Sequence, residues 1–207
     1  AQHHSHGAGG GRPAPRVFVA QVAAHTRLIR LGTGVITWPM ENALRVAEDA
    51  AVLDLLSGGR LEVGLGSGGT PSSFPPFGLE SQERGAAFAQ NLQTLLTAWG
   101  GEPLAGTDNR LYPAAPQLAG RVWQATFSVD GGARAGKSGD GLMLSRTQPR
   151  PADAADLHLD ELQNPIIDAY LDALPAGIAP RIMGSRTAFV TENVDEAREL
   201  AQQGLRG

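Results

Sequence analysis

Apolar and polar positions alternate along the chain with two different periods, which predict alternating helices and strands. Amphipathic stretches bounded by helix-start or helix-end residues predict helices over residues 13–26, 41–59, 80–99, 159–174 and 193–205. Short runs of β-branched and apolar residues predict strands over residues 28–39, 60–66, 121–128, 140–146 and 181–191. Because strands that alternate with helices form parallel βαβ units, the pattern predicts an α/β fold, either a barrel or a doubly wound sheet.

Two of the predicted helices carry finer expectations. The helix over 41–59 has a stripe of apolar residues at helical spacing that is predicted to be buried, namely Leu44, Ala47, Ala51 and Leu55. In the helix over 159–174, Pro165 predicts a break or a kink.

Several predicted strands end in small or polar residues, at positions 33–34, 66–67, 128 and 145–146. In α/β folds, binding sites collect at the carboxyl ends of the strands. We therefore expect the functional site at this edge of the sheet.

The composition narrows the possible functions. The 207 residues are 42% apolar and 18% charged, with a net charge of -4 and no cysteine. This balance predicts a folded domain and offers no basic surface for a nucleic acid or an anionic membrane. The absence of thiols excludes disulfides, thiolate catalysis and thiolate metal sites, and it fits the cytoplasm. We expect neither a membrane span nor a signal peptide, since no apolar run reaches the ~18 residues of a transmembrane helix.

Residues 131–138, GGARAGKS, match the P-loop pattern G-x-x-x-x-G-K-S letter for letter. A P-loop needs a helix directly after it, but Gly-Asp-Gly follows at 139–141. The competing interpretation is a short helix over 130–138, with Lys137 near its carboxyl end. We therefore rank nucleotide hydrolysis as a remote possibility.

Residues 64–69, GLGSGG, match the dinucleotide pattern G-x-G-x-x-G after a predicted strand. No helix is predicted to follow, because the next nine residues include three prolines. A wide loop where a ligand approaches the backbone and a plain flexible loop both remain open.

Three histidines lie within four positions, His3, His4 and His6. His4 and His6 would share one face of a strand, but a zinc site needs a third ligand. Neither His25 nor His158 has metal-binding spacing to them, so we expect no metal site. The stretch also lacks the six consecutive histidines of an expression tag.

Two segments resemble the bacterial luciferase-like, flavin-dependent monooxygenase family. Residues 26–69 contain a GTGV-type turn, a proline, a helix of the AEDAAVLDLLSGGR type and a strand that ends in glycine. Residues 121–151 resemble the family's fifth strand, phosphate-binding turn and sixth strand, and AQHH at 1–4 resembles its EHH motif. The likeness is greatest to the subgroup described as FMN-dependent luciferase-like monooxygenases.

This resemblance implies a TIM (β/α)8 barrel and assigns residues 1–207 to a single domain. It also places the family's first strand and helix before residue 1 and its eighth strand after residue 207. We therefore expect about six barrel strands in this chain.

The resemblance assigns the catalytic role to His3, beside a reduced flavin, with Gln2 where glutamate is common. It implies a non-proline cis peptide bond at Gly34–Val35, behind the flavin ring. A reactive cysteine and an arginine of luciferase itself are replaced at residues 66–67 by Gly and Ser. Light emission is therefore not expected.

The resemblance places further cofactor contacts at strand ends. Ser128, Gly131 and Gly132 are expected to form the turn that holds the flavin phosphate, and Ser145 and Arg146 to line the pocket. The predicted cofactor-binding residues are Thr33, Gly34, Val35, Gly66, Ser67, Gln124, Thr126, Ser128, Gly131, Gly132 and Ser145.

The implied function is oxidation of a small organic substrate by O2 and reduced FMN, with a separate reductase supplying the reduced flavin. A deazaflavin-dependent hydride transfer and a flavin-binding barrel without turnover are the alternatives. The family also implies a homodimer. The loop 67–79, with Phe74 and Phe77, is expected to border the pocket and to favour an apolar or mixed substrate.

Overall fold

The computed structural model of the protein describes residues 2, 14–153, 156–186, 188 and 190–204. Within these ranges the strands are β1 (Leu31–Gly32), β2 (Ile36–Thr37), β3 (Leu61–Gly66), β4 (Val122–Ala125), β5 (Gly141–Leu144) and β6 (Ile182–Gly184). All of their pairings are parallel, in the order β1-β3-β4-β5-β6, and β2 also pairs with β3. The predicted α/β fold with a parallel sheet is confirmed.

Helices connect the strands as the two periods predict. They are α1 (Pro15–His25), α2 (Ala43–Leu56), α3 (Arg84–Trp99), α4 (Val129–Lys137), α5 (Leu159–Ala173) and α6 (Val194–Gly204). Pro165 lies inside α5 without ending it, so of the predicted break or kink the break is wrong. The short helix α4 occupies most of the P-loop-like stretch and places Lys137 at its last position, as the competing interpretation of that stretch proposed.

The single strand predicted over 28–39 is in fact two strands separated by a bulge. Gly32 of β1 lies opposite Glu62, and Ile36 of β2 lies opposite Leu65. Three residues therefore stand opposite two on β3, which is a β-bulge of one extra residue. Thr33 connects the bulge to β3, because its hydroxyl donates to the Gly64 carbonyl at 3.0 Å and accepts from the Gly64 N–H at 2.9 Å.

The strand predicted over 181–191 is also shorter, since β6 ends at Gly184. All three of its residues are exposed, Ile182 to 39% and Met183 to 49%.

The larger part of the core lies between the sheet and the helices α2 and α3. Leu61, Val63 and Leu65 of β3 pack in one cluster with Ala47 of α2 and Leu95 of α3. Since β-strand side chains alternate between faces, the intervening residues of β3 point to the opposite, inner side of the sheet.

The buried stripe of α2 differs from the predicted one. It is formed by Ala43, Val46, Ala47, Ala50, Ala51, Leu53 and Asp54, whereas Leu55 is 70% exposed. The buried positions follow helical spacing at 43, 46, 47, 50, 51 and 54, and the last of them is the carboxylate Asp54. A pattern of apolar residues does not include it. Asp54 accepts from the Leu61 N–H at 3.1 Å, from Gln117 at 2.8 Å and from Arg121 at 3.0 Å, so its burial is compensated.

A second cluster joins α4 and α5 to the sheet. It contains Leu142 and Leu144 of β5 and Ile166 and Tyr170 of α5. The two helices approach so closely that two glycines of α4 lie against backbone carbonyls of α5.

Candidate functional site

A cavity of about 500 Å³ opens at the carboxyl ends of the strands, at the edge that the sequence predicts. The last residues of β3, β4 and β5 contribute Gly66, Ala125 and Leu144 to its wall. The other lining residues are Gln2, Gly34, Val35, Thr37, Met40, Ser67, Gly68, Gly69, Thr70, Ser73, Thr126, Phe127, Met143, Ser145, Thr147, Pro149, Met183 and Ser185.

The described lining residues share one property, which is that none of them carries a formal charge. Hydroxyl groups, glycine backbone, apolar side chains and the Gln2 amide make up the wall. All three methionines of the chain, Met40, Met143 and Met183, lie on it. Such a wall suits an uncharged, largely apolar molecule, and methionine adapts its shape to a ligand.

The peptide bond between Gly34 and Val35 is cis, as the resemblance implies. Both residues line the cavity beside Gly66. A Cβ atom on Gly66 would lie 2.6 Å from Cγ2 of Val35, so the glycine is what allows the Val35 side chain to sit at the end of β3. Around Gly34, by contrast, nothing would come within 4 Å of a Cβ atom. This part of the wall is therefore bare backbone.

Gln2 is the described residue of the AQHH motif, and it lies next to β2. Its N–H donates to the Val35 carbonyl at 2.9 Å, and its side chain is buried against Thr37 and Glu41. His3, the predicted catalytic residue, lies outside the described residues, as do His4 and His6.

The turn after β4 joins the cavity to the start of α4. Thr126 lines the cavity, and its hydroxyl accepts from the Ser128 N–H at 3.1 Å. Ser128 is the N-cap of α4, because its hydroxyl accepts from the Gly131 N–H at 3.2 Å. A Cβ atom on Gly131 would lie 1.9 Å from the Thr126 hydroxyl oxygen, so only glycine fits there.

Gly132 was predicted to lie in the phosphate-binding turn, but it lies against α5. Its N–H donates to the Ser128 carbonyl at 3.1 Å within the helix. A Cβ atom on Gly132 would lie 2.4 Å from the Ile166 carbonyl oxygen, and one on Gly136 would lie 2.2 Å from that of Tyr170. These two glycines, four residues apart, therefore face α5 and allow close packing of the helices.

Gln124 also lies away from the cavity, between the sheet and α4. It is fully buried, donates to Asp140 at 2.7 Å and accepts from Arg134 at 3.0 Å. Burial raises the pKa of the Asp140 carboxyl above its ordinary value, while the hydrogen bond from Gln124 and the charge of Arg181 act in the opposite direction. Burial likewise lowers the pKa of Arg134.

The structure brings together Gly34, Val35, Gly66, Ser67, Thr126 and Ser145 of the predicted cofactor-binding set around one cavity. Thr33 is buried in the bulge, Ser128 and Gly131 form the neighbouring turn, and Gln124 and Gly132 face the helix layer. Arg146 is absent from the wall, and its N–H donates to Ser185.

Several lining residues were missed by sequence reasoning, Met143, Ser185 and Phe127 among them. The signal that could have found them is their position within two residues of a strand end. In the loop 67–79, Ser67 to Thr70 and Ser73 line the cavity, whereas Phe74 is fully buried behind it and Phe77 is 41% exposed.

The described part of the chain offers neither a cluster of metal ligands nor a membrane-spanning helix. No group of three or more His, Cys, Asp or Glu side chains is arranged there to hold a metal ion. Among the helices of those ranges, none is both long enough and apolar enough to cross a bilayer.

Curated relatives and solved structures resemble the chain. The 4-hydroxyprotoasukamycin monooxygenase of Streptomyces nodosus subsp. asukaensis is 34% identical over 167 residues, which cover 75% of this chain and 44% of the relative. An F420-dependent glucose-6-phosphate dehydrogenase of Beutenbergia cavernae is 29% identical over 153 residues, which cover 69% and 45%. The chain thus spans less than half the length of these relatives.

Two solved structures share the fold. Monooxygenase RslO1 from Streptomyces bottropensis superposes with a TM-score of 0.81 and 29% identity, covering 98% of this chain and 63% of that one. The oxygenating constituent of 3,6-diketocamphane monooxygenase from Pseudomonas putida, solved with FMN, gives 0.76 and 19%, covering 98% and 59%. The parallel sheet therefore matches the luciferase-like TIM barrel.

The luciferase-like monooxygenase family matches residues 1–207, in agreement with the cis peptide bond and the cavity at the strand ends. The chain belongs to the luciferase-like monooxygenase family.

Proposed function

We propose that this protein is a flavin-dependent monooxygenase, which uses reduced FMN and O2 to oxidise a small, uncharged organic substrate. The observation that carries the proposal is the uncharged cavity at the strand ends, walled by the Gly34–Val35 cis peptide and Gly66, in a chain of this family.

The wall fits FMN in two respects. The open space beside the Gly34 backbone leaves room for the planar flavin ring. The turn from Thr126 to Ser128 opens α4 beside the cavity, and the amino end of a helix favours a phosphate group. Asp130 in the first turn of α4 opposes an anion there, so the hydroxyls of Thr126 and Ser128 are the better phosphate contacts.

Reduced FMN, when bound, supplies the electrons for the reaction with O2. The protein's part is to orient the ring against the cis peptide and to keep water away from the reacting atoms. The methionine and valine side chains of the wall provide the apolar surroundings that exclude water. His3 holds and transfers a proton at its imidazole, which is suited to this role near neutral pH.

The remaining parts of the proposal concern partners. A separate flavin reductase supplies reduced FMN, and the functional unit is a homodimer in the cytoplasm. The cysteine-free composition supports this compartment. Neither a nucleic acid nor a membrane is a partner, in keeping with the net charge of -4.

A deazaflavin-dependent hydride transfer is the second candidate, because one relative is named as F420-dependent. A flavin-binding barrel without turnover is the third. Titrating the protein separately with FMN and with F420, and following the visible spectrum of each, separates the first two. Tight FMN binding without substrate-dependent O2 uptake would favour the third.

The test uses the full chain with reduced FMN and a panel of neutral ketones, aldehydes and alkenes, and it follows O2 uptake and product mass. His3→Ala should lower the rate by about 100-fold or more, with FMN affinity nearly unchanged. His25→Ala, at the exposed end of α1, is the matched control and should keep the wild-type rate. Equal rates for both variants would remove the role of His3, and failure to bind FMN would overturn the proposal itself.

A further inference from the structure

One row of paired residues crosses the inner side of the sheet at the cavity. Gly66 of β3 lies opposite Ala125 of β4, which lies opposite Met143 of β5, and Met143 lies opposite Met183 of β6. Directly paired residues project to the same side of a sheet, and all four line the cavity. The row therefore carries side chains longer than a methyl group only on β5 and β6.

The Met143 side chain reaches across the sheet as far as β3. A Cβ atom on Gly64 would lie 3.1 Å from Cε and 3.2 Å from Sδ of Met143. Since β4 lies between β3 and β5, the thioether crosses β4 to reach this position. Gly64 comes two residues before Gly66, so it lies on the same face but one level deeper, and it does not line the cavity. Met143 therefore covers Gly64 and forms the floor of the cavity.

The rest of this deeper level is filled by Trp123 of β4. A Cβ atom on Gly141 would lie 2.3 Å from Cε3 of Trp123, so the indole lies over β5. The indole Nε1 donates to Glu62 at 2.7 Å, and the Arg181 guanidinium lies 5.0 Å from the ring centre. The indole is thus held in place, whereas a methionine side chain adapts its shape by changing rotamer. The adaptable part of the floor is therefore Met143.

The wall becomes polar toward the mouth of the cavity. Ser145 and Ser185 follow Met143 and Met183 by two residues and also line the cavity. The Ser185 hydroxyl accepts from the Arg146 N–H at 2.9 Å, and no described residue accepts its own hydrogen. This hydroxyl can therefore donate to a ligand. A molecule with a hydrogen-bond acceptor at one end and an apolar body is expected to enter with the apolar end toward Met143.

We propose that Met143 sets the depth to which the substrate enters the cavity, which makes it a specificity-determining residue. The inference rests on the proposed function, since the substrate meant is the uncharged molecule oxidised in this cavity. Met183 has a different part, because it is 49% exposed on β6 and borders the cavity from the side. The two methionines of one row thus differ in what they limit, the length of the substrate or its general contact area.

The test uses the full chain and a series of straight-chain methyl ketones of increasing length as probes. Calorimetric titration measures the affinity for each ketone, first without flavin and then with FMN present. The wild type should bind about fourfold more tightly per added CH2 group until the chain reaches the floor, and more weakly beyond that length. A wild type that binds no ketone, or shows no such length limit, would overturn the proposal.

Three variants of Met143 change the floor by different amounts. Met143→Ala removes the thioether and should move the length limit to a ketone longer by about two carbons. Met143→Val should move it by about one carbon, which keeps the test valid if the alanine variant fails to fold. Met143→Leu has nearly the same volume and should keep the wild-type limit. Folded alanine and valine variants with the wild-type limit would overturn the proposal.

Met183→Ala is the matched control, since it removes the same side chain from the same row. It should weaken the binding of every ketone by a similar factor and leave the length limit where it is. A shift equal to that of Met143→Ala would show that depth is not set by Met143. So would a Met143→Ala variant that loses FMN affinity about tenfold while its ketone limit stays unchanged.

The titrations without flavin separate this inference from the proposed function. A wild type that fails to bind FMN would refute the proposed function. The length limits of the flavin-free protein and its Met143 variants would still decide whether this residue forms the floor.

Discussion

The two glycine-rich stretches that match nucleotide-binding patterns, 64–69 and 131–138, serve opposite purposes. At Gly66 the space of a Cβ atom is taken by a methyl group of Val35, and the glycine forms the cavity wall. At Gly132 and Gly136 the same space is taken by carbonyl oxygens of α5. A glycine pattern therefore indicates that other atoms approach the backbone closely. The identity of those atoms decides whether the glycine lines a cavity or packs one helix against another.

The second stretch reaches the cavity only at its beginning. Gly131 lies against Thr126, which lines the cavity, whereas Lys137 lies at the far end of α4. A P-loop needs its lysine at the amino end of the helix, so the arrangement is wrong for nucleotide hydrolysis.

The largest expected effect tests the packing role. Gly136→Ala and Gly132→Ala should each lose about 3 kcal/mol of unfolding free energy, because the new methyl group would meet a carbonyl oxygen of Tyr170 or Ile166. Urea unfolding followed by circular dichroism measures the loss. Gly85→Ala in α3 is the matched control, with nothing within 4 Å, and should gain about 0.5–1 kcal/mol. Similar values for all three would contradict the packing role.

The first stretch should respond through ligand binding as well as stability. Gly66→Ala displaces the Val35 side chain and should lower the affinity for FMN about tenfold, with a loss of about 1–2 kcal/mol in stability. Fluorescence titration with FMN measures the affinity. Gly69→Ala also lies on the wall, but its Cβ atom would meet nothing nearer than 3.8 Å, so it should bind like the wild type. If both variants bound alike, the wall at Gly66 would not contact the flavin.

The turn at the start of α4 is the place where the stretch 131–138 meets the cavity, so a change there should affect both helix stability and ligand binding. Ser128→Ala removes the N-cap and should lose about 1 kcal/mol of stability and about fivefold in FMN affinity, with riboflavin, which has no phosphate, unaffected. Asn42→Ala removes the equivalent cap of α2 and should lose only stability. A loss for riboflavin equal to that for FMN would speak against a phosphate contact.

The smallest expected effect concerns Asp140, just beyond the second stretch. Its pKa is raised chiefly by burial, so the folded state binds the proton more tightly than the unfolded state does. The stability contribution of this carboxyl therefore falls as pH rises from the ordinary carboxylate range through the raised pKa. Asp140→Asn should be more stable than the wild type at pH 7, by less than about 1 kcal/mol, and lose that advantage near pH 4. Thermal unfolding between pH 4 and 8 checks the trend, which a constant difference would contradict.

The order and type of the elements followed from the sequence because hydrophobic period is a local property. Helices α2, α3 and α5 begin and end within a few residues of the predicted bounds. The stripe on α2 was misplaced at Leu55 because its true last position is Asp54, whose burial depends on partners at residues 61, 117 and 121.

The site could be predicted in position but only partly in membership. Strand ends and family resemblance predicted Gly34, Val35 and Gly66, which line the cavity in the structure. Gln124 lies outside the cavity wall because its side chain is buried against Arg134 on the following helix and Asp140 beyond that helix. No local pattern shows which side of a strand offers such partners.

The extra residue between β1 and β2 sets the direction of the side chains that follow. Leu31 and Ile36 are five positions apart, an odd number, yet both pack in the same core cluster, whereas Thr37 lines the cavity. Deleting one residue from 33–35 would send Ile36 toward the cavity and Thr37 toward the core. The number of residues in this segment therefore decides which of the following side chains face the core and which face the cavity. That number must be kept, whichever residues fill the segment.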